Sequence, residues 1–446
     1  MHTMSATRSG AQPAVCFRQE SLLKGRATIQ AVVVGALAGS AVLVACQSDT
    51  VIYVGNEAGP EAADAARDNR VDSTGIEAHA RDVPVVDTFA PDTFEPDAVE
   101  PPDAPPADAA EDAAFDSASC DGGGEVSCDG SCTSLATDAK NCGSCGHSCQ
   151  GSTCAAGACQ PFTVADSEPS GVNYLAVFGT TISWTNYITG TLRQCALGAC
   201  VPVTFSTSSV PCGVAMDSAN TYWSQSVSAG DVTECANGSS CTSPATLASS
   251  PFADALVIDA TNVYWAEYTS GGSVLECPIA GCGGAPVVLG SGQDSPRGIA
   301  VDSKNVYWTN EVSGGAVMKC AIGGCGGAPT AIATGQSSPY GVASDGTDVY
   351  WVNYGDGTVN KCAISGCSSP KVLISGLTNP ELVAVDSKNI YVTAWGNSEV
   401  LECAVGGCAA PTVLAASQDG PFGLALDATH VYWGNQGGGQ IMGVAK

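Results

Sequence analysis

The sequence predicts an all-β protein whose C-terminal two-thirds is a seven-bladed β-propeller with four-stranded blades. Three observations carry that prediction. The chain repeats itself at intervals of about 42 residues. Each repeat holds four short apolar or β-branched runs separated by turn residues. Two unrelated anchors inside the repeat both count to seven. Composition agrees, because 53 glycines and only 13% charged residues leave little material for long surface helices.

One unit shows the pattern. It runs PRGIAVDSKNVYWTN from Pro296 to Asn310, then GGAVMKC to Cys320, a loop to Cys325, and PTAIA from Pro329. These are strands a, b, c and d. The aromatic anchor on strand b is Trp184, Trp223, Trp265, Trp308, Trp351, Val392 and Trp433. The proline ahead of strand a is Pro169, Pro211, Pro251, Pro296, Pro339, Pro380 and Pro421. Radial packing covers both faces of such sheets and protects their edges. The seventh unit ends after strand c at Lys446, while an extra strand-d-like run, residues 161–166, precedes the first unit. That run is expected to complete the last blade and close the ring, hiding two edges that would otherwise invite aggregation.

The segments GIAVDSKNVYWTN, VIDATNVYWAE and LALDATHVYWGN resemble the repeats of YWTD propellers, such as those of low-density-lipoprotein-receptor proteins, and the related NHL-type propellers. The resemblance spans residues 161–446 and implies the fold. It transfers no ligand: receptor YWTD propellers usually have six blades, and the motif's final Asp is here Asn186, Asn310, Asn353, Asn435 or Glu267.

The N-terminal third reads as three segments. Residues 1–45 look like a lipoprotein signal peptide. Arg8, Arg18, Lys24 and Arg26 precede an apolar stretch from Ile29 to Ala45, which is short of the ~20 residues a membrane span needs. It ends in Leu43-Val44-Ala45-Cys46, which resembles a bacterial lipobox and implies lipidation of Cys46. Residues 46–119 form an acidic, Pro/Ala/Asp-rich tether expected to be disordered; Asp82 to Asp116 holds eleven acidic residues and no basic one. Residues 120–159 form a cysteine-dense module too small for a hydrophobic core, and residues 160–446 form the propeller. In the module, Cys142-Gly-Ser-Cys145 could be a redox pair, and Cys142, Cys145, His147 and Cys149 could ligate zinc. An exported location favours structural disulfides over both.

Repeated cysteines point the same way. Cys195/Cys200, Cys235/Cys241, Cys277/Cys282, Cys320/Cys325, Cys362/Cys367 and Cys403/Cys408 each bracket a c–d turn, and Cys154/Cys159 shares their spacing ahead of the closing strand. All are expected to form disulfides on the outer rim, each short loop contributing about 2 kcal/mol. Cys212 has no partner in this pattern. Asp217, Asp259, Asp302, Asp345, Asp386 and Asp427 open the a–b turns, where a carboxylate accepts turn N–H groups; a structural role is expected and no metal.

A net charge of −28 argues against nucleic acid and against an anionic bilayer surface as docking partners. Only His430 among the four histidines lies in the propeller, in an a–b turn, so no acid–base cluster is apparent and no cofactor is expected. The d–a and b–c loops share one face, the usual binding face of propellers. There, after the prolines, come Ser170, Cys212, Phe252, Arg297, Tyr340, Glu381 and Phe422. After strand b come Tyr187, Ser226, Tyr268, Glu311, Tyr354, Trp395 and Gln436. These positions vary while the scaffold repeats, and aromatics with polar neighbours suit macromolecular contact. The expected function is therefore a non-enzymatic lipoprotein of the cell envelope, at the outer membrane or cell surface. Its propeller would bind protein or polysaccharide, and only its lipid anchor would touch the membrane. The alternative is a metal-dependent, lactonase-like propeller hydrolase or lyase.

Overall fold

In a computed structural model the described residues are Cys120, 124–238 and 240–446. The leader, Cys46 and the acidic tether lie outside them. Seven antiparallel four-stranded sheets follow one another, each ordered a-b-c-d from the axis outward. Blade four is typical: strand a is Pro296–Val301, b is Asn305–Asn310, c is Ser313–Ala321 and d is Thr330–Ser337. The seventh blade takes Pro421–Leu426, His430–Asn435 and Gln440–Ala445, and borrows Phe162–Ala165 as its outer strand. Phe162 pairs with Gly443, Thr163 with Met442 and Ala165 with Ile441, so the ring closes where the sequence placed its clasp.

The Tyr-Trp pair on strand b explains why the sheets stack radially. Successive strand residues face opposite sides of a sheet, so Trp308 packs back on blade three and Tyr307 forward on blade five. Tyr264 of blade three therefore meets Trp308 of blade four, and Tyr307 meets Trp351. In the same way Tyr391 meets Trp433, and Tyr432 of the last blade meets Trp184 of the first. Blade one carries Ser183 at the Tyr position, and Phe205 from its strand d fills the gap edge-on to Trp223, with ring centroids 6.5 Å apart. Each large ring buries ~150–250 Å², worth ~4–6 kcal/mol at 25 cal/mol per Å². One cluster of this kind sits at each seam.

Polar groups lock the pattern. In the a–b turns, Asp302 Oδ1 accepts the N–H groups of Lys304 and Asn305, and its Oδ2 accepts the Tyr307 hydroxyl at 2.6 Å. Asp217, Asp259, Asp345, Asp386 and Asp427 repeat this with Tyr222, Tyr264, Tyr350, Tyr391 and Tyr432. The indole of Trp308 and the amide of Asn310 both donate to Gln293 Oε1, at 3.0 and 3.2 Å. Gln336 and Gln418 do the same for the pairs Trp351/Asn353 and Trp433/Asn435. Asn at the motif's last position is thus a donor where Asp would present a second acceptor to the glutamine oxygen.

Six disulfides close the c–d turns: Cys195–Cys200, Cys235–Cys241, Cys277–Cys282, Cys320–Cys325, Cys362–Cys367 and Cys403–Cys408. These are the six turn bridges expected from the spacing, and their surroundings add contacts to neighbouring blades. The second cysteine of four turns reaches the strand d of the preceding blade. The Cys241 N–H donates to the Phe205 carbonyl at 2.7 Å, and the Cys367 N–H to that of Ile332 at 3.4 Å. The sulfurs of Cys282 and Cys325 lie 3.5 and 3.4 Å from the carbonyl oxygens of Leu247 and Leu289. Cys241, Cys282 and Cys367 are accordingly half-buried at the seams, so these bridges hold turns that also join neighbouring blades. Spacing within one repeat carries no information about that contact.

Cys154 and Cys159 do not pair with each other. They face one another across a separate two-stranded hairpin, and their sulfurs bond Cys142 and Cys149 of the module. A spacing of five cannot distinguish a turn bridge from a hairpin whose partners arrive from elsewhere in the chain. Cys120–Cys132 and Cys128–Cys145 complete the module, so the cysteines of the redox and zinc readings are all oxidised. Cys142, Cys149 and Cys159, whose sulfurs lie within 4.8 Å of one another, belong to two adjacent bridges.

The module and the propeller belong to one compact unit. Cys142, Cys149, Cys154 and Cys159 pack in one cluster with Tyr391, Val400 and Ala415 of blade six and Val431, Trp433 and Val444 of blade seven. His147 spans the joint, with Nδ1 2.6 Å from the Cys142 carbonyl oxygen and Nε2 2.9 Å from the main-chain oxygen of Lys446. The module is therefore fastened at the seam between blades six and seven, on the blade that the clasp strand completes.

Candidate functional site

At the d–a and b–c loop end, strand a begins with a β-bulge. Pro296 pairs with Asn310 and Ile299 with Trp308, and the two residues between them are out of register. The first bulged residue forms the innermost ring. Register fixes its members as Asn173, Cys212, Asp254, Arg297, Tyr340, Glu381 and Phe422. Counting from prolines therefore misplaces two blades. In blade one Val172 occupies the position of Pro296, so Asn173, not Ser170, lines the axis. In blade three Ala253 occupies it, so Asp254 replaces Phe252. Phe252 is instead the residue before strand a, left-handed at φ 55°, like Ser295 at 53° and Ser338 at 50°. Pro169 and Pro251 stand three and two residues ahead of strand a, within the d–a loops, instead of opening the strand.

Strand b holds the ring in place through a hydroxyl no motif announces. Thr309 Oγ1 accepts the bulge N–H of Gly298 at 3.0 Å and donates to the Tyr340 carbonyl of the next blade at 2.5 Å. Thr185 and Thr393 make the same bridge to the carbonyls of Cys212 and Phe422, and Ser224 to that of Asp254. Each acceptor is a ring residue. At Gly298 an added Cβ would lie 2.1 Å from the Tyr340 carbonyl, so the strands can approach this closely only with glycine there.

Around the axis the ring side chains and the b–c loops meet. Arg297 is the hub. Its Nε lies 3.3 Å from Asp254 Oδ2, one terminal nitrogen is 3.3 Å from Glu311 Oε2, and the other donates to the Tyr340 hydroxyl. Its guanidinium carbon stands 4.2 Å from the ring centre of Tyr268 and 4.6 Å from that of Tyr340, two cation–π contacts. Burial works against this charge, but Tyr340, Asp254 and Glu311 outweigh it and raise the guanidinium pKa further. Burial likewise pushes the Tyr268 hydroxyl up to about 12, with Arg297 opposing it. Beyond Tyr340 the aromatics continue: Phe422 is edge-on to Tyr340 at 6.3 Å and to Tyr174 at 5.6 Å, and Tyr354 lies 6.2 Å from Tyr340.

The candidate residues thus form two tiers. Tyr340, Glu381 and Phe422 are buried and make the wall, whereas Tyr268, Glu311, Tyr354 and Trp395 are half-buried at the rim. Trp395 covers the backbone of Gly420, where a Cβ would sit 2.5 Å from its Nε1. Tyr187 stands on the blade-one loop beside Ile188, which is 57% exposed. Cys212 is a buried thiol in the wall, with the Asn173 amide 3.7 Å from its sulfur. The described histidines lie away from the rim: His430 packs edge-on to Phe162 at the a–b turn end, and His147 belongs to the module.

No protein-family model matches the chain, and no curated protein sequence matches it. Solved structures do share its fold. Virginiamycin B lyase from Staphylococcus aureus superposes with a TM-score of 0.55 at 11% identity, covering 64% of this chain and 98% of that one. Hydrazine synthase from Kuenenia stuttgartiensis gives 0.53 at 14% identity, covering 64% and 98%. A chain of a nidogen/laminin complex gives 0.40 at 20% identity, covering 49% and 87%. At such identities the likeness of the first two concerns the fold alone and carries no activity across, and the third, at its lower score, carries no argument.

Proposed function

We propose that this protein is a non-enzymatic binding module of the cell envelope. Lipidated Cys46 and the acidic tether would display the propeller, and its rim would engage protein or polysaccharide. One observation carries the reading. The scaffold positions repeat from blade to blade, while the rim positions differ: Tyr268 stacks on the Arg297 guanidinium, itself paired with Asp254 and Glu311, Tyr354 stands beside Tyr340, and Trp395 covers Gly420. Rigid aromatics on a fixed scaffold lose little entropy on contact, which suits recognition.

The test is retention of the full chain on immobilised envelope proteins and on a glycan array, beside Tyr268→Ala/Tyr354→Ala/Trp395→Ala. Loss of retention at a nearly unchanged melting temperature supports the reading. Retention that survives all three changes removes the rim from the account. Turnover of a lactone that EDTA abolishes would replace a binding module with an enzyme.

A further inference from the structure

Charge is sorted along the propeller axis. All six lysines of residues 160–446 stand at the a–b and c–d turn end, away from the rim. Lys304 and Lys388 lie in a–b turns. Lys361 and Lys446 pair with Asp348 and Asp386 at 2.7 and 3.0 Å, and Lys319 and Lys371 donate to the c–d turn carbonyls of Ile364 and Gly406. The two arginines are already committed to carboxylates, Arg193 to Glu168 at 3.2 Å and Arg297 to Asp254 and Glu311. The rim loops meanwhile present Asp166, Asp294, Asp356 and Asp419 exposed, in four different blades, with no lysine to balance them. The aromatic rim therefore sits inside a ring of uncompensated negative charge.

We infer that the rim docks a protein segment bearing lysine or arginine side chains, with Tyr268, Tyr354 and Trp395 as its aromatic contacts. This deepens the binding reading above and rests on it. Two features favour a cationic protein segment over an uncharged glycan. A one-signed field around a docking surface steers an oppositely charged partner and repels like-charged ones. The face also already holds one guanidinium between two tyrosine rings and two carboxylates, so its chemistry accommodates such a group.

The probe is a synthetic Lys/Arg-rich dodecapeptide, with its Glu-substituted counterpart as control, titrated onto the full chain at low and physiological salt. The basic peptide should bind, weaken about ten-fold as salt rises, and lose about ten-fold affinity in Asp166→Asn/Asp294→Asn/Asp356→Asn/Asp419→Asn. An equal charge change in the tether, Asp87→Asn/Asp92→Asn/Asp97→Asn/Asp103→Asn, should alter affinity less than two-fold. Trp395→Ala should weaken the peptide in either background. Equal loss in the rim and tether variants would reduce the effect to net charge and overturn the inference. So would binding of the Glu peptide. If retention on the immobilised envelope array needs the three aromatics but ignores the four rim aspartates, the binding reading stands and the cationic partner is wrong.

Discussion

Thr309→Val isolates the hydroxyl that couples one blade to the next. Valine has nearly the same shape, so no cavity opens, but the Gly298 N–H and the Tyr340 carbonyl both lose their buried partner. Leaving a buried backbone group unpaired costs ~1–3 kcal/mol, so the pair should cost ~2–4 kcal/mol once some relaxation is allowed. At roughly 2 °C per kcal/mol for a domain of this size, the melting temperature should fall by about 4–8 °C. Thr309→Ser keeps the hydroxyl and removes one methyl, about 1 kcal/mol. Thermal unfolding under oxidising conditions, followed by tryptophan fluorescence, measures both. Because the carbonyl left without its donor belongs to Tyr340, the valine variant should also loosen Tyr340 against Arg297. If valine costs no more than serine, the hydroxyl bridges are incidental and radial stability rests on the aromatic seams alone. The natural Ala266, Val352 and Gly434 at this position confine the test to the four seams that carry a hydroxyl.

Acid should destabilise the protein within a defined window. Five of the a–b turn carboxyls lie below the usual range, Asp386 at about 2: burial works against ionisation, but donors from Lys388, Asn389, Lys446 and Tyr391 outweigh it. Asp217, Asp259, Asp345 and Asp427 shift the same way. Groups with a depressed folded pKa contribute fully above their unfolded value of ~3.9 and lose that contribution as pH falls through the folded value. The melting temperature should therefore stay level from pH 7 to 5 and drop between pH 4 and 2, with Glu234 and Glu402, raised by burial, opposing weakly. A fall centred near pH 6 would remove these carboxyls as the cause of acid lability. Separately, Cys149→Ser/Cys159→Ser removes a bridge of sequence separation 10, worth about 3 kcal/mol. Hydrogen exchange should rise in residues 162–165 and 440–445 and stay unchanged in blades three to five. A uniform rise would mean that the module does not secure the clasp.

Much of the architecture was legible because it is local and periodic. The Asp-x-x-Asn turns, the Tyr-Trp alternation and the six turn cysteine pairs each follow from residues close in sequence, and seven copies make the pattern hard to mistake. The closing strand was legible for the same reason, as the repeat unit that appears out of order. What each cysteine turn touches was not legible: the reach of Cys241, Cys282 and Cys367 to the blade before them depends on a neighbour some 35 residues away. The ring was legible only where the proline itself opens strand a. Arg297, Tyr340, Glu381 and Phe422 directly follow such a proline and stand in the ring, while in blades one and three the proline lies three and two residues before the strand and hid Asn173 and Asp254 behind Ser170 and Phe252. A signal for Asp254 existed, since it stands eleven residues before Trp265, as Arg297 does before Trp308.

By itself, the sequence determined the number of blades, the identity of their strands and the place where the ring meets, because a repeated pattern of apolar and turn residues has one compact solution. Only the tertiary structure decided which sulfurs join Cys154 and Cys159, which side chains converge on Arg297, and which hydroxyls pass a hydrogen bond from blade to blade. Those choices depend on distances between residues far apart in the chain, and a shift of two or three residues in one loop is enough to change them.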